Sequence, residues 1–140
     1  QLLYFGAKAR EGSERQFARA CSNGNAAGNT IEEALLQGFF ELVERDAMCI
    51  WWYNRLSMAG VDISSFEDVY LNDFLDSYTA LGRQVWALDL TSDLKIPVFV
   101  ALSRQLSNQQ SGQERIMIGM GCHFDAKIAL KRAIGEMNQM

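Results

Sequence analysis

Residues 22–45 read Ser22-Asn-Gly-Asn-Ala-Ala-Gly-Asn-Thr-Ile-Glu-Glu-Ala-Leu-Leu-Gln-Gly-Phe-Phe-Glu-Leu-Val-Glu-Arg45. A run of small residues leads straight into a helix. Thr30-Ile-Glu-Glu33 has the spacing of a capping box, so the helix begins at about Thr30 and runs to about Asn54. Leu35, Leu36, Phe39, Leu42, Val43 and Ile50 recur at helical spacing and are expected to form its buried side. Glu33, Gln37, Glu41 and Glu44 follow one another at steps of four, four and three and fall within roughly 80° of one helix face. Like charges at these spacings repel by about 0.2–0.5 kcal/mol per pair. A divalent cation with a phosphate ligand would compensate them.

A solvated amphipathic face is the competing reading of this stripe. Two details weigh against it. No lysine occurs between Lys8 and Lys95, whereas exposed helices usually mix lysine with glutamate. The polar arc also holds Ala34, Gly38 and Met48, poor choices for a wet surface. Gly38 costs about 1 kcal/mol relative to alanine in a helix interior, a cost that makes sense if another segment or a ligand lies close.

Working outward, residues 2–5 are a short apolar run read as a strand, residues 6–16 are turn-like, and residues 18–29 are small enough for close backbone approach. Asp62 opens a second helix over about 64–80, with Phe66, Val69, Tyr70, Phe74, Leu75 and Tyr78 at helical spacing and Gly82 as its stop. The period then changes to that of strands at 84–90, 97–103 and 115–124, with a Gln/Ser/Asn-rich hairpin loop at 104–114. Asp125 caps a last helix through Met140. The order α, α, β, β, β, α predicts an α+β fold, a mixed β-sheet packed against helices.

The chain has 140 residues, at most one ordinary domain, and its 49% hydrophobic content is ample for a core. It starts at Gln1 and stops inside an apparent helix, and is read as part of a longer protein. A net charge of −4 argues against non-specific nucleic-acid binding. Three dispersed cysteines and one histidine argue against a structural zinc site and fit a reducing, cytoplasmic compartment. No signal peptide or membrane-spanning segment is visible.

Other candidates have two readings each. Asn29 is either a turn residue or a polar contact at a helix N-terminus that favours an anion. Arg45 either pairs with Glu41 one turn back or holds a phosphate in a bidentate bond. Arg132 and Glu136 have the spacing of a surface salt bridge. His123 reads better as structural than catalytic, and neither it nor Cys21 has an identifiable triad partner. Trp51, Trp52 and Tyr53 read as packing residues. The Walker lysine and the GxGxxG pattern are both absent, which excludes a P-loop and a Rossmann loop.

The run Ser22 to Thr30, with Glu33-Ala34, Gln37-Gly38 and Glu41-Leu-Val-Glu44-Arg45-Asp46, resembles the central signature of YcaO-domain proteins. Trp51-Trp-Tyr-Asn-Arg55 and Leu88-Asp-Leu-Thr-Ser-Asp93 before Ile96-Pro97 resemble the azoline-forming cyclodehydratase branch, of D-protein type. Gly119-Met-Gly121, His123-Phe-Asp125, Arg132-Ala133, Glu136 and Gln139 resemble the family's late helix. The resemblance implies ATP and Mg2+ as cofactors, with Glu33, Glu41 and Glu44 as metal ligands. It implies Asn29, Glu33, Arg45 and Arg132 as ATP contacts, with Gln37 and Ser22 as weaker transfers. It implies that residues 1–140 are the central part of a YcaO domain, with the N-terminal Ser/Glu motif and the C-terminal Pro-rich tail outside them, so that this piece alone is expected to be inactive. The implied reaction converts Cys, Ser or Thr of a ribosomal precursor peptide to thiazolines or oxazolines. Thioamide or amidine formation, or a non-catalytic peptide-binding module, are the alternatives. A leader-binding E1-like partner protein or fused domain and a homodimer are expected; nucleic acid and membrane are not.

Overall fold

The computed structural model describes residues 21–106 and 115–139. The strand expected at 2–5, the turn at 6–16 and most of the loop at 104–114 lie outside these residues. Helix α1 spans Ile31–Asn54, with Thr30 as N-cap in extended backbone and its hydroxyl accepting from the Glu33 N–H. A short strand β1 (Ala59–Val61) follows, then a 3-10 turn (Ile63–Phe66) and helix α2 (Val69–Ala80). Strands β2 (Arg83–Asp89), β3 (Val98–Gln105) and β4 (Ile116–Cys122) lead into helix α3 (Ala126–Met137).

The α+β class holds, but the sheet differs from the expected one. Its order is β1-β2-β3-β4 and every pairing among the described residues is antiparallel, not mixed. β2, β3 and β4 follow one another without an intervening helix and pair in this way, whereas β1 reaches β2 through the 3-10 turn and α2. β1 has only three residues, too short to carry a periodic signal, and went unread in the sequence. The helix expected at 64–80 is broken in two. Asp62 caps the 3-10 turn by accepting from the Ser64 N–H at 3.0 Å, Glu67 turns left-handed at φ 49°, and Asp68 caps afresh through the Leu71 N–H at 3.3 Å. Of the apolar residues at helical spacing Phe74 is buried, whereas Val69 and Tyr70 are exposed and Leu71 takes the core position.

The sheet is the middle of three layers. Val98, Val100, Met120 and Cys122 face α1, against Phe40, Val43 and Ala47. Phe99 and Ala101 face the other way, against Leu71 and Phe74 of α2 and Ala129, Leu130, Ala133, Ile134 and Met137 of α3. β3 is therefore buried on both faces, as its unbroken apolar run requires. The buried arc of α1 also differs from the expected one. Of the six apolar residues assigned to it, only Val43 is buried. Ile31, Leu35, Phe39 and Leu42 form a second apolar arc, roughly 120° around the helix, that faces away from the sheet. A helix with two apolar arcs can turn only one of them to a given sheet.

β4 alternates in a way that sets the distance of α3. Its glycines point to α3, and a Cβ on Gly119 would lie 2.1 Å from the Met137 nitrogen, one on Gly121 2.1 Å from the Ala129 carbonyl oxygen. Helix backbone rests directly on strand backbone there. Gly121→Ala is expected to lower unfolding free energy by about 1–3 kcal/mol or more. Gly135→Ala, with open space around its Cβ, is expected to be neutral or to stabilise by up to about 1 kcal/mol. Urea unfolding of both variants checks this, and equal losses would contradict the packing described.

Candidate active site

The segment before α1 is anchored on the helix by small residues. Gly24 has φ +80°, and its carbonyl oxygen would lie 2.6 Å from a Cβ on Gly38. The Gly38 of the polar arc is thus explained by a chain segment seated on it. The Gly24 N–H donates to Glu41 Oε2 at 3.1 Å. Further along, the Asn29 N–H donates to Glu33 Oε2 at 2.8 Å, while the Glu33 N–H donates to the Thr30 hydroxyl at 3.2 Å. This is a capping box whose return bond reaches one residue beyond the cap. Glu33 is thereby committed to the helix N-terminus, two turns before Glu41.

The close seat of α3 lets its side chains pass around the outer edge of β4 toward α1. The Met120 N–H donates to Glu136 Oε2 at 2.8 Å, and Arg132 Nη1 donates to the Cys122 carbonyl at 3.2 Å. Four helix residues advance about 6 Å and two strand residues about 6.8 Å, so residues one turn apart on α3 meet edge groups two apart on β4. Arg132 and Glu136 are edge-binding residues, not the surface pair that their spacing suggests.

Arg45 stands between the two helices. Its guanidinium lies 3.9 Å from Glu41, 3.9 Å from Glu44 and 3.8 Å from Glu136. None of these is a short bidentate pair, so one cation is spread over three carboxylates. Glu44 bears the consequence. It lies about 40° around α1 from buried Phe40, at the edge of the packed arc. Burial, and then repulsion from Glu136, push its carboxyl up to about 7 from the ordinary 4.5; Arg45 pulls the other way, Glu41 adds repulsion and Arg132 opposes it. Burial and the nearby Glu44 likewise push the Cys122 thiol up to about 11, so it is a packing group and not a nucleophile.

Of the residues expected in the site, the structure gathers Glu41, Glu44, Arg45 and Arg132. It places Gln37 half-buried one turn before Glu41, and leaves Glu33, Asn29 and Ser22 at the exposed start of α1. His123 takes the structural role: its Nδ1 accepts from the Asp125 N–H at 3.0 Å. Glu136 is the member that the sequence reading missed. The glycines of β4, which let α3 close on the strand, were the available signal.

Among the described residues no three His, Cys, Asp or Glu side chains form a group able to hold a metal unaided. The donor chemistry nonetheless fits Mg2+, which is usually held through one or two carboxylates together with substrate phosphates. Glu41, Glu44 and Glu136, with Glu44 the most enclosed, thus lie beside Arg45 and Arg132, a donor set of the kind that suits a metal-bound polyanion.

The YcaO family profile, described as YcaO cyclodehydratase, ATP- and Mg2+-binding, matches residues 1–140. The chain belongs to the YcaO family, whose cofactors are ATP and Mg2+. It is similar to the heterocyclase TruD, at 49% identity and a TM-score of 0.86, over 94% of this chain and 19% of that one. It is similar to a heterocyclase in complex with substrate and cofactor, at 47% identity and a TM-score of 0.87, over 97% of this chain and 18% of that one. A YcaO from Methanopyrus kandleri bound with AMPPCP and Mg2+ matches at 25% identity and a TM-score of 0.69, over 87% of this chain and 32% of that one. The chain spans 30% and 31% of the length of the curated relatives it matches. No helix among the described residues is long and apolar enough to cross a membrane.

The raised carboxyl of Glu44 has a sign that can be measured. Folding raises its proton affinity, so its contribution to stability is full below the ordinary carboxylate range and is lost as pH rises through about 7. Glu44→Gln is expected to flatten the fall in stability between pH 5 and 8 and to gain up to about 3 kcal/mol at pH 8. Denaturant unfolding across that range checks this, and a variant with the parent's pH profile would contradict the burial of that charge.

Proposed function

We propose that this chain is the central part of the YcaO domain of a D-protein-type cyclodehydratase. The whole protein would use ATP to convert Cys, Ser or Thr residues of a ribosomal precursor peptide to thiazolines or oxazolines. The observation that carries the reading is the convergence of Glu41, Glu44 and Arg45 of α1 with Arg132 and Glu136 of α3. Identities of 49% and 47% to proteins described as heterocyclases support ring formation over thioamide or amidine chemistry.

Each residue then has a role. Glu41, Glu44 and Glu136 would supply hard oxygen ligands to Mg2+, with Glu33 a further ligand or ATP contact at the start of α1. Metal charge would draw the proton from Glu44 and relieve the repulsion among the carboxylates. Arg45, released from the carboxylates it now serves, and Arg132 would hold phosphate oxygens. Asn29, Gln37 and Ser22 would line the nucleotide's approach to the helix N-terminus.

The reaction needs these charges at one step. The substrate's thiol or hydroxyl adds to the preceding carbonyl carbon and gives up its proton. The former carbonyl oxygen, a poor leaving group, takes the γ-phosphoryl group of ATP, releasing ADP. Loss of that oxygen as phosphate, with the amide proton, leaves the C=N bond of the azoline. The arginines would stabilise charge on the transferring phosphoryl group. Leader recognition is assigned to an E1-like partner or fused domain, and the working assembly to a homodimer.

The test is the mass of a precursor peptide incubated with the whole protein, its leader-binding partner and Mg-ATP. Loss of one water per modified residue, dependent on ATP, is expected. ATP hydrolysis without water loss would overturn the azoline assignment. Glu44→Gln is expected to cut turnover ~100-fold or more with the fold retained; unchanged turnover would remove the metal assignment.

A further inference from the structure

Phe40 is 2% exposed, and the Arg132 guanidinium carbon lies over its ring, 5.8 Å from the centroid. Arg132 is thus held from two sides, by the Cys122 carbonyl at 3.2 Å and by the face of this ring. The ring is itself fixed. Phe124 meets it edge-on at 4.8 Å and His123 at 5.1 Å, and His123 is locked through the Asp125 N–H. All three supports come from the short connection between β4 and α3, so the strand that carries the carbonyl also carries the brace behind the ring. A guanidinium has five N–H donors, and one edge bond to Cys122 leaves others for an anion.

The position of Phe40 on α1 matters as much as the contact. It stands next to Glu41 and one turn before Glu44, with its ring between those carboxylates' helix and α3. Were Arg132 free to swing, a carboxylate of α1 would draw it in. The ring face offers an alternative partner that attracts a cation without neutralising it. Arg132 therefore keeps its positive charge available beside the acidic cluster.

We propose that Phe40 is a positioning residue for the phosphate-binding arginine: its ring face holds the Arg132 guanidinium at the β4 edge with N–H groups free for a nucleotide phosphate. This rests on the Mg-ATP reading of the site.

The test replaces Phe40 with pentafluorophenylalanine in the whole protein, which keeps the ring's shape and removes its negative face. Binding of Mg-AMPPCP is read by calorimetry, and folding by thermal melting. Expected is an about fivefold weaker Kd with an unchanged Tm. In an Arg132→Met background the same replacement is expected to have no effect on Kd. An unchanged Kd in the Arg132 protein, or an equal loss in the Arg132→Met background, would overturn the proposal and leave Phe40 a core residue. A melting shift that accompanies the loss is resolved by 4-fluorophenylalanine at position 40, which keeps most of the ring's negative face and is expected to keep the parent Kd; a loss as large as that of the pentafluoro ring counts against the proposal. No binding of Mg-AMPPCP by the parent protein would instead remove the nucleotide reading, and this inference with it.

Discussion

The contact on which the site depends is backbone against backbone, where α3 rests on Gly119 and Gly121 of β4. α1 and α3 lie on opposite faces of the sheet. Side chains on opposite faces would ordinarily be separated by the sheet itself, about 10 Å from layer to layer. They meet here because β4 is the outer strand among the described residues and because α3 is close enough for its side chains to pass around that edge. Glu136 and Arg132 use the edge's own N–H and C=O groups as footholds. An edge strand's unpaired polar groups, a hazard elsewhere, become anchors for the site.

That geometry leaves an electrostatic imbalance. Three carboxylates share one guanidinium at 3.8–3.9 Å, and the most enclosed of them resists ionisation. A structure selected for stability alone would shorten these pairs or replace the half-buried carboxylate. Perturbed groups of this kind concentrate where chemistry is done. The arrangement is consistent with a site made whole by a cation and an anion together. The cation would satisfy the carboxylates and free Arg45, and the anion would accept the arginines.

Much of this was legible in the residues. Thr30 and Asp125 announced their helices as caps, and the β-branched run after Pro97 announced the central strand. Gly38 on a polar arc pointed to a close neighbour, which is Gly24. What failed is instructive. Periodicity identified apolar residues on α1 but could not choose between two apolar arcs, since that choice belongs to the sheet. Asp68 recapping a helix was masked by an apolar pattern that ran through it. The spacing of Arg132 and Glu136 matched a local salt bridge, and only the packing of α3 revealed that both residues serve the neighbouring strand. Spacing along one helix predicts neighbours on that helix; it is silent about an edge reached from another layer.

The account's central claim is that the carboxylates of α1 and α3 form one metal–nucleotide site. Anomalous diffraction from crystals of the whole protein grown with Mn2+ and AMPPCP tests it most directly. The account predicts a manganese peak within bonding distance of Glu44 and of Glu41 or Glu136, with Arg45 moved from the carboxylates onto a phosphate oxygen. A peak elsewhere, with Arg45 still spread over all three carboxylates, would contradict it.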